Sequence, residues 1–230
     1  MLLYSVLQQT PKGQEEELMF FQATFWFALA FLFAAVEIEI EGKYGWAERT
    51  PTWYRTTGIA ARIYGLVMGG KPLTGYHLWM FLLSVMIFHI PFASGVEWSW
   101  QAEFTALSIY FAWAPLWDFL WFVLNPHWGL KNFKRDRVWW HAKSWWVLGF
   151  FPLDYLVGWF ISIVFATAST RLEQSQNMVP MDHLCLLGGF LACTFVTVLI
   201  IAPWYHKWYQ WMLRKDDRDK THIFHIRNSP

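Results

Sequence analysis

The sequence predicts an all-α, polytopic integral membrane protein, and three observations carry that prediction. Of 230 residues, 56% are hydrophobic and 21% aromatic while 15% are charged, well below the roughly 25% of soluble domains. Apolar runs of about 20 residues, the length that crosses a hydrocarbon core, recur along the chain. Basic residues collect between those runs and not within them. The runs leave too little chain for a separate soluble domain, so residues 1–230 read as a single transmembrane domain. A net charge of +1, from 18 basic and 17 acidic residues, gives no footing to nucleic-acid binding.

The first span is residues 18–38. Acidic residues up to Glu17 precede it, with no basic region leading into a cleavage site, so no cleaved signal peptide is expected. Residues 58–68 (GIAARIYGLVM) are too short to cross and carry Arg62, which fits either an amphipathic helix lying in the interface or a packed loop. The remaining spans are 77–92, the shortest, then 104–124, 146–168 and 184–204. The last holds Cys185 and Cys193, about 12 Å apart along a helix axis and therefore unable to pair with each other. Residues 206–230 form a charged tail. All Lys and Arg except Lys12 and Arg171 lie within 43–71, 131–143 and 207–227. By the positive-inside rule these stretches are cytoplasmic, so the N-terminus is outside, the C-terminus is cytoplasmic, and the span count is odd, hence five. The expected location is a prokaryotic cytoplasmic (inner) membrane. Tryptophan clusters at Trp98/Trp100, Trp139/Trp140, Trp145/Trp146 and Trp204/Trp208/Trp211 fall where interfacial belts belong, and Gly188-Gly189 allows close helix approach.

Ionisable side chains within such spans cost about 2.5–3.5 kcal/mol each on insertion scales, so each needs a partner or a purpose. Glu37 and Glu41 share one helix face by i, i+4 spacing at the cytoplasmic end of the first span. His77 opens the second span, Asp118 lies six residues before the end of the third, and His141 and Asp154 sit at the start of the fourth. These six residues, with His127 and His206 close by, occupy one half of the membrane, whereas the outer half holds mainly His89, Glu97, Glu103, Asp182 and His183. Carboxylates and imidazoles from several helices at one depth suit iron, manganese or zinc. The residue types leave no thiol site, since the two cysteines cannot make one. A haem is not expected, because His89 has only His183 as a second imidazole. The bland readings are helix-end carboxylates pairing with Lys43, Arg49 or Arg55, and an Asp154 that caps its helix after Pro152. No HxxxH, HExxH, ExxH or GxSxG motif is present.

Two functional readings follow. The first is a small membrane enzyme acting on a lipidic or apolar substrate near the cytoplasmic face. Its metal ligands come from the pool Glu37, Glu41, His77, Asp118, His141 and Asp154, with Asp118 and Asp154 as catalytic acids or bases and Trp113, Trp117, Trp121, Phe122, Trp145 and Trp146 as pocket walls. The second is a non-catalytic subunit of a larger respiratory or photosynthetic membrane complex, with other membrane subunits as partners. Membrane lipids are partners in both, and the basic run Lys131–Arg137 (KNFKRDR) can hold anionic headgroups. Convergence of Glu37, Asp118, His141 and Asp154 on one point favours the enzyme; separate pairing with Arg49, Arg55, Arg137 or Lys143 disfavours it.

Overall fold

The structure is a computed structural model that describes residues 12–173 and 180–217; the end of the charged tail, with His222 and His225, lies outside them. In chain order it contains α1 (Lys12–Glu41), β1 (Tyr54–Arg55), α2 (Ile59–Val67), β2 (Leu73–Thr74), α3 (Gly75–Phe88), α4 (Ile90–Ala93) and α5 (Trp100–Leu124). These are followed by β3 (Trp146–Val147), β4 (Phe151–Pro152), α6 (Leu153–Leu172), α7 (Met181–Val196) and α8 (Ala202–Arg214). Among the described residues, four helices are long and apolar enough to cross a membrane: Glu17–Glu41, Trp100–Leu124, Leu153–Leu172 and the continuous rod Met181–Arg214.

The apolar segments differ from the expected spans at two places. The expected span 77–92 is a helix of 14 residues, Gly75–Phe88, about 21 Å long and short of a hydrocarbon core of about 30 Å. It ends because Pro91 cannot continue it; the chain restarts at His89 as the four-residue α4. The expected span 146–168 begins only at Leu153. Its first residues form an antiparallel hairpin that pairs Trp146 with Pro152 and Val147 with Phe151, with Leu148 (φ 51°) and Gly149 (φ 77°) at the tip. Of the two forms expected for residues 58–68, the chain takes the helical one, α2, which exposes Ile59, Ile63, Leu66 and Val67 along one side.

Helix α3 runs antiparallel to α1, since His77 faces Glu37 and Glu41 while Phe88 stacks on Trp26 at 4.4 Å. Helix α5 is the central post. Trp113 is fully buried, donates its indole N–H to the Trp26 carbonyl at 3.1 Å and, with Trp117, brackets Phe33. Pro115 lies inside α5, which runs on through it, and the Trp159 indole of α6 donates to the Ala112 carbonyl three residues earlier at 3.1 Å. Between α7 and α8 lies a π-turn at Thr197–Ile201, which ends two residues before Pro203, whose missing N–H breaks the α-helical register. Gly189 packs against Ala23 of α1, whereas Gly188 meets nothing, so only one of the two glycines serves close approach.

Gly158 lets α6 lie directly on the Pro115 ring: a Cβ there would fall 2.6 Å from Pro115 Cγ and 3.3 Å from the Phe111 carbonyl oxygen. Gly158→Val is therefore expected to destabilise the protein by about 1–3 kcal/mol through overpacking. Thermal unfolding in detergent checks this, and an unchanged midpoint would contradict the α5–α6 packing.

Candidate functional site

Two groups of polar side chains meet where α1 and α5 end and α3 and α6 begin. In the first, Glu37 and Glu41 lie on the buried side of the last turns of α1, 7% and 6% exposed. The chain leaves α1 through Gly42 (φ 60°) and folds back with Trp46 and Ala47 also at positive φ. That return lets the Ala47 backbone N–H donate to Glu41 Oε1. It also lays the Trp46 indole flat on the His77 ring at 4.0 Å and 14°, while the indole N–H donates to the Pro72 carbonyl at 3.0 Å. Thr74 caps α3 by accepting from the His77 backbone N–H at 3.2 Å, and its hydroxyl also meets His77 Nδ1 at 2.8 Å.

With Nδ1 engaged, His77 Nε2 faces Glu37 Oε1 at 3.7 Å and Glu41 Oε1 at 3.8 Å. One ligand atom from each of the three residues lies within 4.8 Å of the others. The N–O separations are too long for hydrogen bonds. They match the edges of a metal polyhedron in which ligands about 2.0–2.2 Å from the ion subtend roughly 120°.

The second group is strung on His141, which is 1% exposed. Its Nε2 is 3.1 Å from Asp118 Oδ2, and its Nδ1, which makes no hydrogen bond, is 3.6 Å from Asp154 Oδ2. Tyr155 donates its hydroxyl to Asp118 Oδ2, and Ser144 donates to Asp154 Oδ2 at 2.5 Å. The imidazole is closed in, but the carboxylates open outwards, with side-chain exposures of 31% for Asp118 and 46% for Asp154.

Lys71 lies between the two groups, buried, with its ammonium 4.5 Å from the Trp46 ring centre. Burial pushes its pKa below the ordinary 10.5, opposed by the fields of Asp118, Asp154 and Glu37. Four carboxylates therefore face one lysine and two imidazoles.

The six residues expected as one ligand set thus divide into Glu37, Glu41 and His77 on one side and Asp118, His141 and Asp154 on the other. The acids pair with His77 and His141, not with Arg49, which lies over the Tyr44 ring, or Arg137, which donates to Asn132 Oδ1 at 2.7 Å. His206 Nε2 sits on the Val123 carbonyl and His127 is exposed beside Tyr209, so neither joins. At the other end of the bundle His89 meets Glu103 and His183 meets Ser162. Trp113, Trp117, Trp121 and Phe122 are core residues, at most 4% exposed. Sequence reading missed Lys71, Thr74, Ser144 and Tyr155. The clue for Lys71 was its place in GGKPLTGYH, six residues before His77. Compared with family models, curated proteins and solved structures, the chain matches none.

A base whose folded pKa is depressed binds fewer protons folded than unfolded, so stability rises with pH between that pKa and 10.5. The wild type should gain stability across this window relative to Lys71→Met, in which the rise is absent. Unfolding midpoints of both proteins against pH check this; a difference that shrinks with pH would mean that the carboxylates outweigh burial.

Proposed function

We propose that this chain is a membrane-embedded metalloenzyme that binds iron, manganese or zinc through Glu37, Glu41 and His77 and acts on a lipidic or apolar substrate. The observation that carries the reading is the approach of two buried carboxylates and one imidazole nitrogen at separations that no hydrogen bond closes. A cation there neutralises charge that is otherwise costly to hold in an apolar bundle. When bound, the metal supplies Lewis acidity to a substrate oxygen or to water.

The chain's own residues supply the rest. The Thr74 hydroxyl accepts a hydrogen bond from His77 Nδ1–H, leaving Nε2 free as a ligand, and Trp46 fixes the ring plane. The His141–Asp118 pair accepts or delivers a proton at the Tyr155 hydroxyl, and Ser144 holds Asp154 beside the unpartnered His141 Nδ1. Lys71 offers positive charge to an anionic part of the substrate. The apolar faces of α2 and the 146–152 hairpin flank this region, which supports a substrate that arrives from the membrane. We place α3 as a fifth crossing, with the N-terminus outside and the site near the cytoplasmic face of a prokaryotic inner membrane, because the basic stretches all lie at that end.

Metal analysis by mass spectrometry of the detergent-purified protein tests the reading. Near-stoichiometric metal is expected in the wild type, none in Glu37→Gln or His77→Ala, and retention in Asp118→Asn, which belongs to the proton path. Metal-free wild type would overturn the assignment and favour the non-catalytic subunit. Thr74→Val should weaken metal affinity about 10–100-fold while leaving all three ligands in place, because the orienting partner of His77 is gone; equal affinity would remove Thr74 from the site.

A further inference from the structure

Outside the site, one open cavity of about 660 Å³ combines charge and apolar surface. Its walls include Lys134, Arg135 and Asp136 from the turn after α5, Leu130 and Phe133, and Phe150 at the tip of the β3–β4 hairpin. Residues 131–143 carry five basic side chains and one acid. Of these, Arg137 is held by Asn132, while Lys134 and Arg135 face the cavity. The opposing hairpin presents apolar groups to the outside: Trp145 is 81% exposed, Leu148 87% and Phe150 69%. Positive φ at Leu148 and Gly149 holds that tip outward. A cation pair facing an exposed aromatic tip suits a phosphate with acyl chains attached, because the phosphate takes the guanidinium and ammonium while the chains cover the tip.

The cavity floor connects to the proton path. Phe133 is 6% exposed and stacks on the Tyr155 ring at 6.0 Å and 22°, and Tyr155 donates to Asp118. A headgroup in the cavity is therefore separated from Asp118 by two stacked rings, Phe133 and Tyr155.

We propose that this cavity binds the headgroup of an anionic phospholipid and thereby presents the lipid to the site, which names the substrate class. Presentation rests on the metalloenzyme reading, whereas binding does not.

Native mass spectrometry of the full chain, with added phosphatidylglycerol or phosphatidylcholine of identical acyl chains, tests it. Phosphatidylglycerol is expected to bind preferentially. The double variant Lys134→Gln/Arg135→Gln should lose that preference by about 10- to 30-fold, and Phe150→Ser should weaken both lipids, while Lys131→Gln, outside the cavity, changes neither. Equal binding of the two lipids, an unaffected double variant, or an equal loss in Lys131→Gln would overturn the proposal. So would glycerol phosphate competing as strongly as the lipid, which would mark a soluble phosphate site. Metal content read on the same preparations separates failure of the lipid site from failure of the metal site.

Discussion

The gathering of four carboxyl groups at one end of an apolar helical bundle is the constraint on which the rest of this structure depends. Glu37, Glu41, Asp118 and Asp154 converge there with a single buried lysine, and the two histidines among them lie within 3.1–3.8 Å of carboxylate oxygens. Burial of such groups is unfavourable unless protons, hydrogen bonds or a cation compensate it. The fold supplies part of that compensation: the Ala47 N–H to Glu41, the Tyr155 hydroxyl to Asp118 and the Ser144 hydroxyl to Asp154. Among the described residues none donates a hydrogen bond between Glu37 or Glu41 and His77 Nε2, which is where the proposed metal belongs.

The surrounding architecture makes that triangle stiff. Helix α5 is anchored to α1 through Trp113 and Phe33, and Asn125 at its end donates to the Gly42 carbonyl at 2.7 Å, tying the two helix ends together. The layered order Lys71, Trp46, His77 then fixes the imidazole from the loop side. Side chains held by helix ends and one stacked loop are already ordered, so the ion binding proposed for them would cost little further entropy.

Much of this was legible in the sequence, for identifiable reasons. Hydropathy located the helices around residues 18–38, 104–124 and 184–204, since a long apolar run has few alternatives to a helix in a membrane. It failed at 146–152, where Gly149 and Pro152 turn an equally apolar stretch into a hairpin, and at Pro91, which shortens α3. Depth along the helices singled out six residues that the structure gathers at one end of the bundle, because an acid or imidazole in an apolar run is conspicuous. Their division into two groups was not legible, since it depends on the chain folding back at positive φ through Trp46 and Ala47. Lys71 was hidden among basic residues that served the topological argument, and only tertiary burial separates it from them.

The central claim is that Glu37, Glu41 and His77 hold one metal ion, and a metal-edge X-ray absorption spectrum of the purified protein tests it most directly. The account predicts a nitrogen and oxygen shell at about 2.0–2.2 Å with the outer-shell scattering of a single imidazole, which disappears in His77→Ala. A shell of oxygen alone, or one unchanged by that substitution, would contradict it.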